Sequence, residues 1–158
     1  MVVRKSKRKR SSIATLKRGA AQDLRNQRSK VQIDYFFHDK VYMVYNKNRV
    51  SPIYRFSIKN KVIKTTNHVM VRVLQTSKPR NGNKISEKSL IQVYCSCDDF
   101  KYRMAYRLNK RLQLIPLPSI KKALGRAVTE EPTRKAPRSK LCKHLIKVVS
   151  EVDKWKNN

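Results

Sequence analysis

Four residues with metal-binding side chains lie in two short clusters of this sequence. Cys95 and Cys97 are separated by one residue, and Cys142 and His144 repeat that spacing nearer the C-terminus. The chain has no other cysteine. A structural zinc ion takes four tetrahedral ligands, commonly thiolates and imidazoles, as two close pairs from separate segments. The spacing therefore predicts one zinc site formed by these four residues, with no position left for a catalytic water.

A second interpretation needs no metal. Cysteine is among the most buried residue types, so the three thiols could face the core as small apolar side chains while His144 lies on the surface. This alternative leaves the clustering unexplained, and we favour the metal. His38 and His68 stand alone in strand-like segments and are interpreted as ordinary packed or surface histidines.

Short runs rich in Val, Ile, Tyr and Phe precede the first cysteine pair and indicate β-strands. They are VQIDYFF (31–37), KVYMVYN (40–46), PIYRFSIKN (52–60), HVMVRVLQ (68–75) and SLIQVYC (89–95). Turn signals between them include Ser51-Pro52 and the Asn-Gly pair within 77–83. The expected arrangement is an antiparallel meander whose cationic exposed faces hinder edge pairing. The cations assigned to these faces are Arg49, Arg55, Lys59, Lys64 and Arg72.

The pattern becomes helical after Cys97. An apolar stripe recurs every four residues and predicts a helix over about 99–111, with Asp98 or Asp99 as its N-cap. The stripe consists of Phe100, Met104, Leu108 and Leu112. LCKHLIKVVSEVDKW (141–155) predicts an amphipathic C-terminal helix. The segment 113–139 contains four prolines and scattered basic residues, and is interpreted as an extended insertion.

The fold class predicted from these elements is α+β. It consists of a small antiparallel β-meander followed by two helices that are joined at the zinc site. We expect this zinc-stabilised domain to span 31–158, with the basic insertion at 113–139 and a basic N-terminal arm at 1–30.

The charge is strongly unbalanced, because 39 Lys and Arg face 10 Asp and Glu and give a formal net charge of +29. Such a chain favours an anionic partner, most commonly nucleic acid. In the arm, Asp23 is the only acid, and an apolar stripe from Ile13 to Leu24 allows a short helix. The residues assigned to an anionic partner are Arg4, Lys5, Lys7, Arg8, Lys9, Arg10, Lys17 and Arg18.

Neither membrane insertion nor secretion is expected. Basic residues interrupt every apolar run before the roughly 18 residues that a membrane-spanning helix needs. The start of the chain, MVVRKSKRKR, has no apolar segment of the secretory type. We therefore expect reduced thiols, which favours metal ligation over disulfide formation.

The two clusters also carry a family resemblance. C-x-C-x-x-F followed by C-x-H resembles the SWIM-type zinc-binding module, at Cys95, Cys97, Phe100, Cys142 and His144. The segment between the pairs is longer than the usual SWIM spacer. The longer form, YCSCDDFKYR with LCKHL, is similar to virion structural proteins of large tailed bacteriophages. This resemblance implies a virion location, and partners that are other protein subunits of the particle.

Catalysis is not expected. Only Asp98-Asp99 and Glu130-Glu131 are adjacent acids, and sequence neighbours do not by themselves make a facing acid and base pair. If the metal takes all three thiols, no cysteine nucleophile remains. We therefore predict a non-enzymatic chain without a small-molecule substrate.

Two functional classes remain: a structural component of a large assembly, and a nucleic-acid-binding module associated with a ribosome or a genome. Nucleic-acid platforms expose aromatic rings on a strand face. The strand aromatics alternate or cluster as a core would, which favours the structural class with nucleic-acid contact as a secondary role. These aromatics are Tyr35, Phe36, Phe37, Tyr42, Tyr45, Tyr54 and Phe56.

Overall fold

A computed structural model describes residues 12–17, 33–46, 49–74, 85, 86, 88–132 and 141–158, with the backbone alone at 44–46, 49 and 50. The described residues form an α+β fold, as predicted. Four antiparallel strands lie in the order β1-β2-β3-β4. Their bounds are Ile33–Asn46 (β1), Arg49–Asn60 (β2), Thr66–Leu74 (β3) and Leu90–Cys95 (β4).

Five short helices accompany the sheet. They are Ile13–Lys17 (α1), Ala105–Lys110 (α2), Pro118–Leu124 (α3), Lys143–Ser150 (α4) and Val152–Trp155 (α5). A π-helical turn, Phe100–Met104, leads into α2, and a 3₁₀ turn, Gly125–Val128, follows α3. In the described part of the chain, no helix combines the length and the apolar character needed to cross a bilayer.

The first two predicted strands are one continuous strand. The runs 31–37 and 40–46 merge in β1, where the register with β2 shifts between Phe37 and Asp39. The intervening residues, His38 and Asp39, include no Gly or Pro, and His38 is accommodated as the extra residue of a β-bulge rather than in a turn. The Ser51-Pro52 turn signal also lies inside a strand. β3 pairs with β2 only from Ile53 onward, which leaves room for a proline near the start of β2.

One face of the sheet packs against the C-terminal helices. The Trp155 ring centroid lies 4.8 Å from that of Tyr54 and 5.1 Å from that of Phe56. The Trp155 Nε1 donates a hydrogen bond to the Val148 carbonyl oxygen at 2.8 Å, so the indole joins α4 to α5 as well as to the sheet. The predicted C-terminal helix is thus confirmed as two helices that meet at Glu151.

Arg72 differs from its prediction as an exposed cation. Its exposed fraction is 4%, because it lies on β3 between Ile53 of β2 and Gln92 of β4, which are both buried. Its guanidinium donates hydrogen bonds to Ser51 Oγ at 2.6 Å and to Gln92 Oε1 at 2.7 Å.

The other cations predicted to lie on the exposed faces differ in their positions. Lys59 and Lys64 are exposed as predicted, and Arg55 is partly exposed and ion-paired with Asp39. The Arg49 side chain lies outside the described residues.

The N-terminal half of the predicted insertion is folded rather than extended. Val93 N donates to the Gln113 carbonyl oxygen at 2.8 Å and Ile115 N donates to that of Val93 at 3.3 Å, so this segment pairs with β4. The α3 helix and the 3₁₀ turn then bury Ile120, Leu124 and Val128. Pro118 is compatible with α3 because it occupies the first helical position, where no intrahelical N–H bond is made. Residues 133–140 lie outside the described part of the chain.

The predicted helix at about 99–111 is present with two differences. Its first turn is π-helical, and this wider turn suits an apolar stripe that repeats every four residues rather than every 3.6. Leu112 lies beyond α2 at a φ of 59° and is exposed, so it does not continue the stripe. Asp99 occupies the N-cap position without a side-chain cap, and its carboxylate instead pairs with Arg103 at 2.8 Å.

Candidate metal centre

The two predicted ligand pairs meet in the interior. One side-chain donor atom from each of Cys95, Cys97, Cys142 and His144 lies within 4.8 Å of the other three. All four residues are buried, with exposed fractions between 0 and 8%. The predicted convergence of these residues is confirmed, and the group could hold a metal ion.

The end of β4 positions the first pair. Cys95 is the last residue of β4, and the next residue, Ser96, is hydrogen-bonded to the neighbouring strand β3. Ser96 N donates to the His68 carbonyl oxygen at 3.0 Å, and His68 N donates to Ser96 Oγ at 2.9 Å. Cys97 therefore follows a fixed turn, and its sulfur accepts a hydrogen bond from Phe100 N at 3.3 Å.

The start of α4 positions the second pair. Cys142 is the N-cap of α4, and His144 lies in the first turn of that helix. The Cys142 carbonyl oxygen accepts a hydrogen bond from Ile146 N at 3.0 Å, which fixes the beginning of the helix. The apolar face of α4 then anchors both ligands, because Leu145, Val148 and Val149 are fully buried. The positive end of the helix dipole further favours ionised sulfur at this position.

His144 presents its Nδ1 atom to the sulfurs. The distance from His144 Nδ1 to Cys95 Sγ is 3.7 Å. Its other ring nitrogen, Nε2, is buried without a hydrogen-bond partner in the described residues. An imidazole in this orientation offers Nδ1 as the ligand atom.

The three thiols have unequal acidities. Burial raises the pKa of Cys95 and of Cys142 well above the ordinary thiol value, because a thiolate would lose its hydration there. Hydrogen bonds from Cys142 and Cys95 lower the pKa of Cys97 far below that value. A bound cation would favour ionisation of all three sulfurs, because it compensates for the hydration that buried thiolates lose.

The geometry fits a tetrahedral ion. Four ligands at about 2.3 Å from a shared centre would be about 3.8 Å apart, and the observed upper limit of 4.8 Å is close to that separation. Burial alone would also agree with three core cysteines and no metal. The convergence of a buried imidazole nitrogen on three sulfurs favours ligation, since a solvent-facing His144 was part of the metal-free alternative.

The remaining histidines lie apart from this centre. The side chains of His38 and His68 are exposed on β1 and β3, in agreement with their interpretation as ordinary surface residues. Only the backbone of His68 supports the site, through its bonds with Ser96.

The residues assigned to an anionic partner fall mainly outside the described part of the chain. Lys17 is the exception, as the last residue of α1. That helix buries Ile13 and Leu16, and Ile13 N donates to the Ser89 carbonyl oxygen at 3.1 Å. The predicted helix in the arm is therefore present at 13–17 and docks on the folded domain, while the anionic-partner role of the arm stays a prediction.

The strand aromatics divide between the core and the surface. Tyr35 and Phe37 pack edge-on against Phe56, as expected for a core. Phe36 and Tyr42 are exposed by 52% and 61%. The Tyr45 side chain lies outside the described residues. The aromatic placement therefore supports the core interpretation for only part of the set.

No protein-family model, curated protein or solved structure matches this chain.

Proposed function

We propose that the chain is a non-enzymatic structural component of a large assembly, stabilised by one zinc ion at Cys95, Cys97, Cys142 and His144. The observation that carries the metal assignment is the buried convergence of three sulfurs and one imidazole nitrogen. Zinc suits this donor set better than magnesium or calcium, which prefer oxygen ligands. Because four protein ligands complete a tetrahedron, the ion has a structural role and leaves no open position for substrate.

The assembly assignment is supported by charge and by resemblance. A net charge of +29 on 158 residues makes an isolated chain repel itself, and anionic neighbours relieve that repulsion. The similarity of YCSCDDFKYR and LCKHL to tailed-phage virion structural proteins supports a place in such a particle. In this proposal the basic arm contacts neighbouring protein subunits, while the zinc domain provides the folded body.

A nucleic-acid-binding module is the second candidate. The exposure of Phe36 and Tyr42 favours it, since rings on a strand surface can stack on bases. Lys59 Nζ lies 5.6 Å from the Phe36 ring centroid, so a cation accompanies one of these rings.

The arm can be tested without disturbing the folded domain. Deletion of residues 2–11 removes six Lys and Arg and keeps α1, whose Ile13 and Leu16 are buried. We expect the truncated chain to fold and bind zinc but to be absent from the particle with which the full chain co-purifies. A matched variant keeps the length and replaces the same six cations by Gln, which separates charge from chain length. Normal incorporation of both variants would refute the role of the arm.

Salt separates the two candidate functions. At about 1 M salt the Debye length is about 3 Å, so surface attraction to phosphate is lost while buried protein contacts persist. A structural subunit is expected to stay with the particle after this wash and after nuclease treatment. Release of the intact chain together with the nucleic acid would favour the second candidate.

A further inference from the structure

One stretch of the folded domain combines many cations with a complete lack of acids. Residues 100–129 contain eight Lys and Arg and no Asp or Glu. This stretch covers the π-helical turn, α2, α3 and the 3₁₀ turn. It lies outside the N-terminal arm, so its charge needs a separate explanation.

These cations are held on an ordered surface rather than on a tail. Leu108 of α2 and Leu124 of α3 are buried, and Asn109 Nδ2 donates to the Val128 carbonyl oxygen at 3.4 Å. Five of the cations are exposed and form no ion pair within the described residues. We call this set the helical basic face, and it consists of Arg107, Arg111, Lys121, Lys122 and Arg126.

Arg107 lies in α2, and Arg111 is the C-cap residue of that helix. They are four residues apart, and Arg111 N donates to the Arg107 carbonyl oxygen at 3.2 Å, so the helical turn continues between them. Side chains at this spacing are neighbours on a helix surface. Two adjacent guanidinium groups without a carboxylate partner repel each other unless an anion lies between or beside them.

An exposed aromatic ring accompanies the cations. Tyr102 is 56% exposed, and its ring centroid lies 5.3 Å from Lys101 Nζ. Tyr102 and Arg126 line one open depression of about 670 Å³. Glu130 and Glu131 line the same depression, so fixed negative charge lies beside Lys101 and Arg126 there.

We propose that the helical basic face binds the sugar-phosphate backbone of a nucleic acid, with Tyr102 able to stack on an unpaired base. Several separate cations spread over two helices suit a chain of phosphates better than one small anion. An exposed ring next to a cation can stack on a nucleic-acid base. Binding of an acidic peptide would not require such a ring. The inference deepens the second candidate function and does not depend on the virion assignment.

The test compares two variants of the full-length, zinc-loaded chain. Arg107→Gln, Arg111→Gln and Arg126→Gln are combined in the first variant. The control combines Lys64→Gln, Lys88→Gln and Lys154→Gln, which removes the same charge from exposed positions that are not assigned to nucleic-acid binding. Both variants are required to show unchanged zinc content and circular dichroism, so that a failure of the metal centre is recognised separately.

The measurement is the salt dependence of binding to a DNA duplex of about 20 base pairs. Each lost phosphate contact is expected to reduce the logarithmic salt slope by about 0.9, so the first variant should lose between two and three units. The control is expected to lose less than about one unit. Equal slopes in the two variants, or polyglutamate binding as tightly as duplex at the same salt, would overturn the proposal.

A single-stranded oligonucleotide distinguishes the kind of nucleic acid. Loss of one stacked base is expected to weaken binding of Tyr102→Ala by about 5-fold or more, with duplex binding unchanged. Equal binding of the variant and the parent to the single strand would refute the role assigned to Tyr102.

Discussion

Removal of the metal with a strong chelator is expected to unfold the zinc domain. The proposed ion joins the end of β4 to the start of α4, and the sheet and the helix meet in the same core. Structural zinc contributes on the order of 10 kcal/mol to the folding of small domains at neutral pH. Since the total stability of a domain is about 5–15 kcal/mol, its loss removes most or all of that stability. The check is a thermal melt followed by circular dichroism, with and without chelator.

A pair of histidine variants provides the matched control. His144→Ala removes the proposed Nδ1 ligand, while His68→Ala removes an exposed imidazole on β3. We expect the first variant to lose zinc and to melt as the chelated protein does. The second should keep both its metal and its midpoint. Two variants with the same midpoint, neither of them sensitive to chelator, would contradict a structural metal.

Truncation of the tryptophan at the C-terminus is expected to have the second largest effect on stability. The Trp155 side chain is 1% exposed and packs against Tyr54 and Phe56. Its removal by Trp155→Ala leaves a large cavity and removes one of the two hydrogen bonds that the Val148 carbonyl oxygen accepts, the other being from Glu151 N at 3.2 Å. We expect the free energy of unfolding of the zinc-loaded protein to fall by about 3–5 kcal/mol, measured by denaturant titration.

Tyr102→Ala is the control for this truncation, because it removes an aromatic ring that is mostly exposed. A surface substitution of this kind usually changes the unfolding free energy by less than about 0.5 kcal/mol. If Trp155→Ala differed from the parent by no more than this control, α5 would not be a part of the core.

The sequence predicts best where β-branched and other apolar residues are concentrated in a short run. Consecutive residues are buried at 71–74 of β3 and at 91–93 of β4, and both strands are present near their predicted bounds. The convergence of the three cysteines and His144 is predictable for a different reason. Thiolates and an imidazole in two matched pairs have few uses other than metal binding, so residue type alone carries the information.

The predictions that fail depend on the tertiary neighbours of a residue. The charge of Arg72 favours a surface position, but its strand has a partner on each side, and Ser51 and Gln92 supply acceptors for its guanidinium. The prolines of 113–139 favour a loop, yet Pro118 begins a helix that buries Ile120 and Leu124 in the core. The helical basic face was also missed. Its signal in the sequence is the absence of acids over 100–129, which a search for positive charge alone does not reveal.

The central claim is tested most directly by the metal content and ligand shell of the purified, reduced protein. Elemental analysis is expected to give one zinc per chain. X-ray absorption at the zinc edge should show three sulfur ligands at about 2.3 Å and one nitrogen ligand at about 2.0 Å, and the Cys142→Ser variant should lose one sulfur ligand or the metal itself. A folded protein without stoichiometric zinc, or a zinc shell dominated by oxygen, would contradict the account.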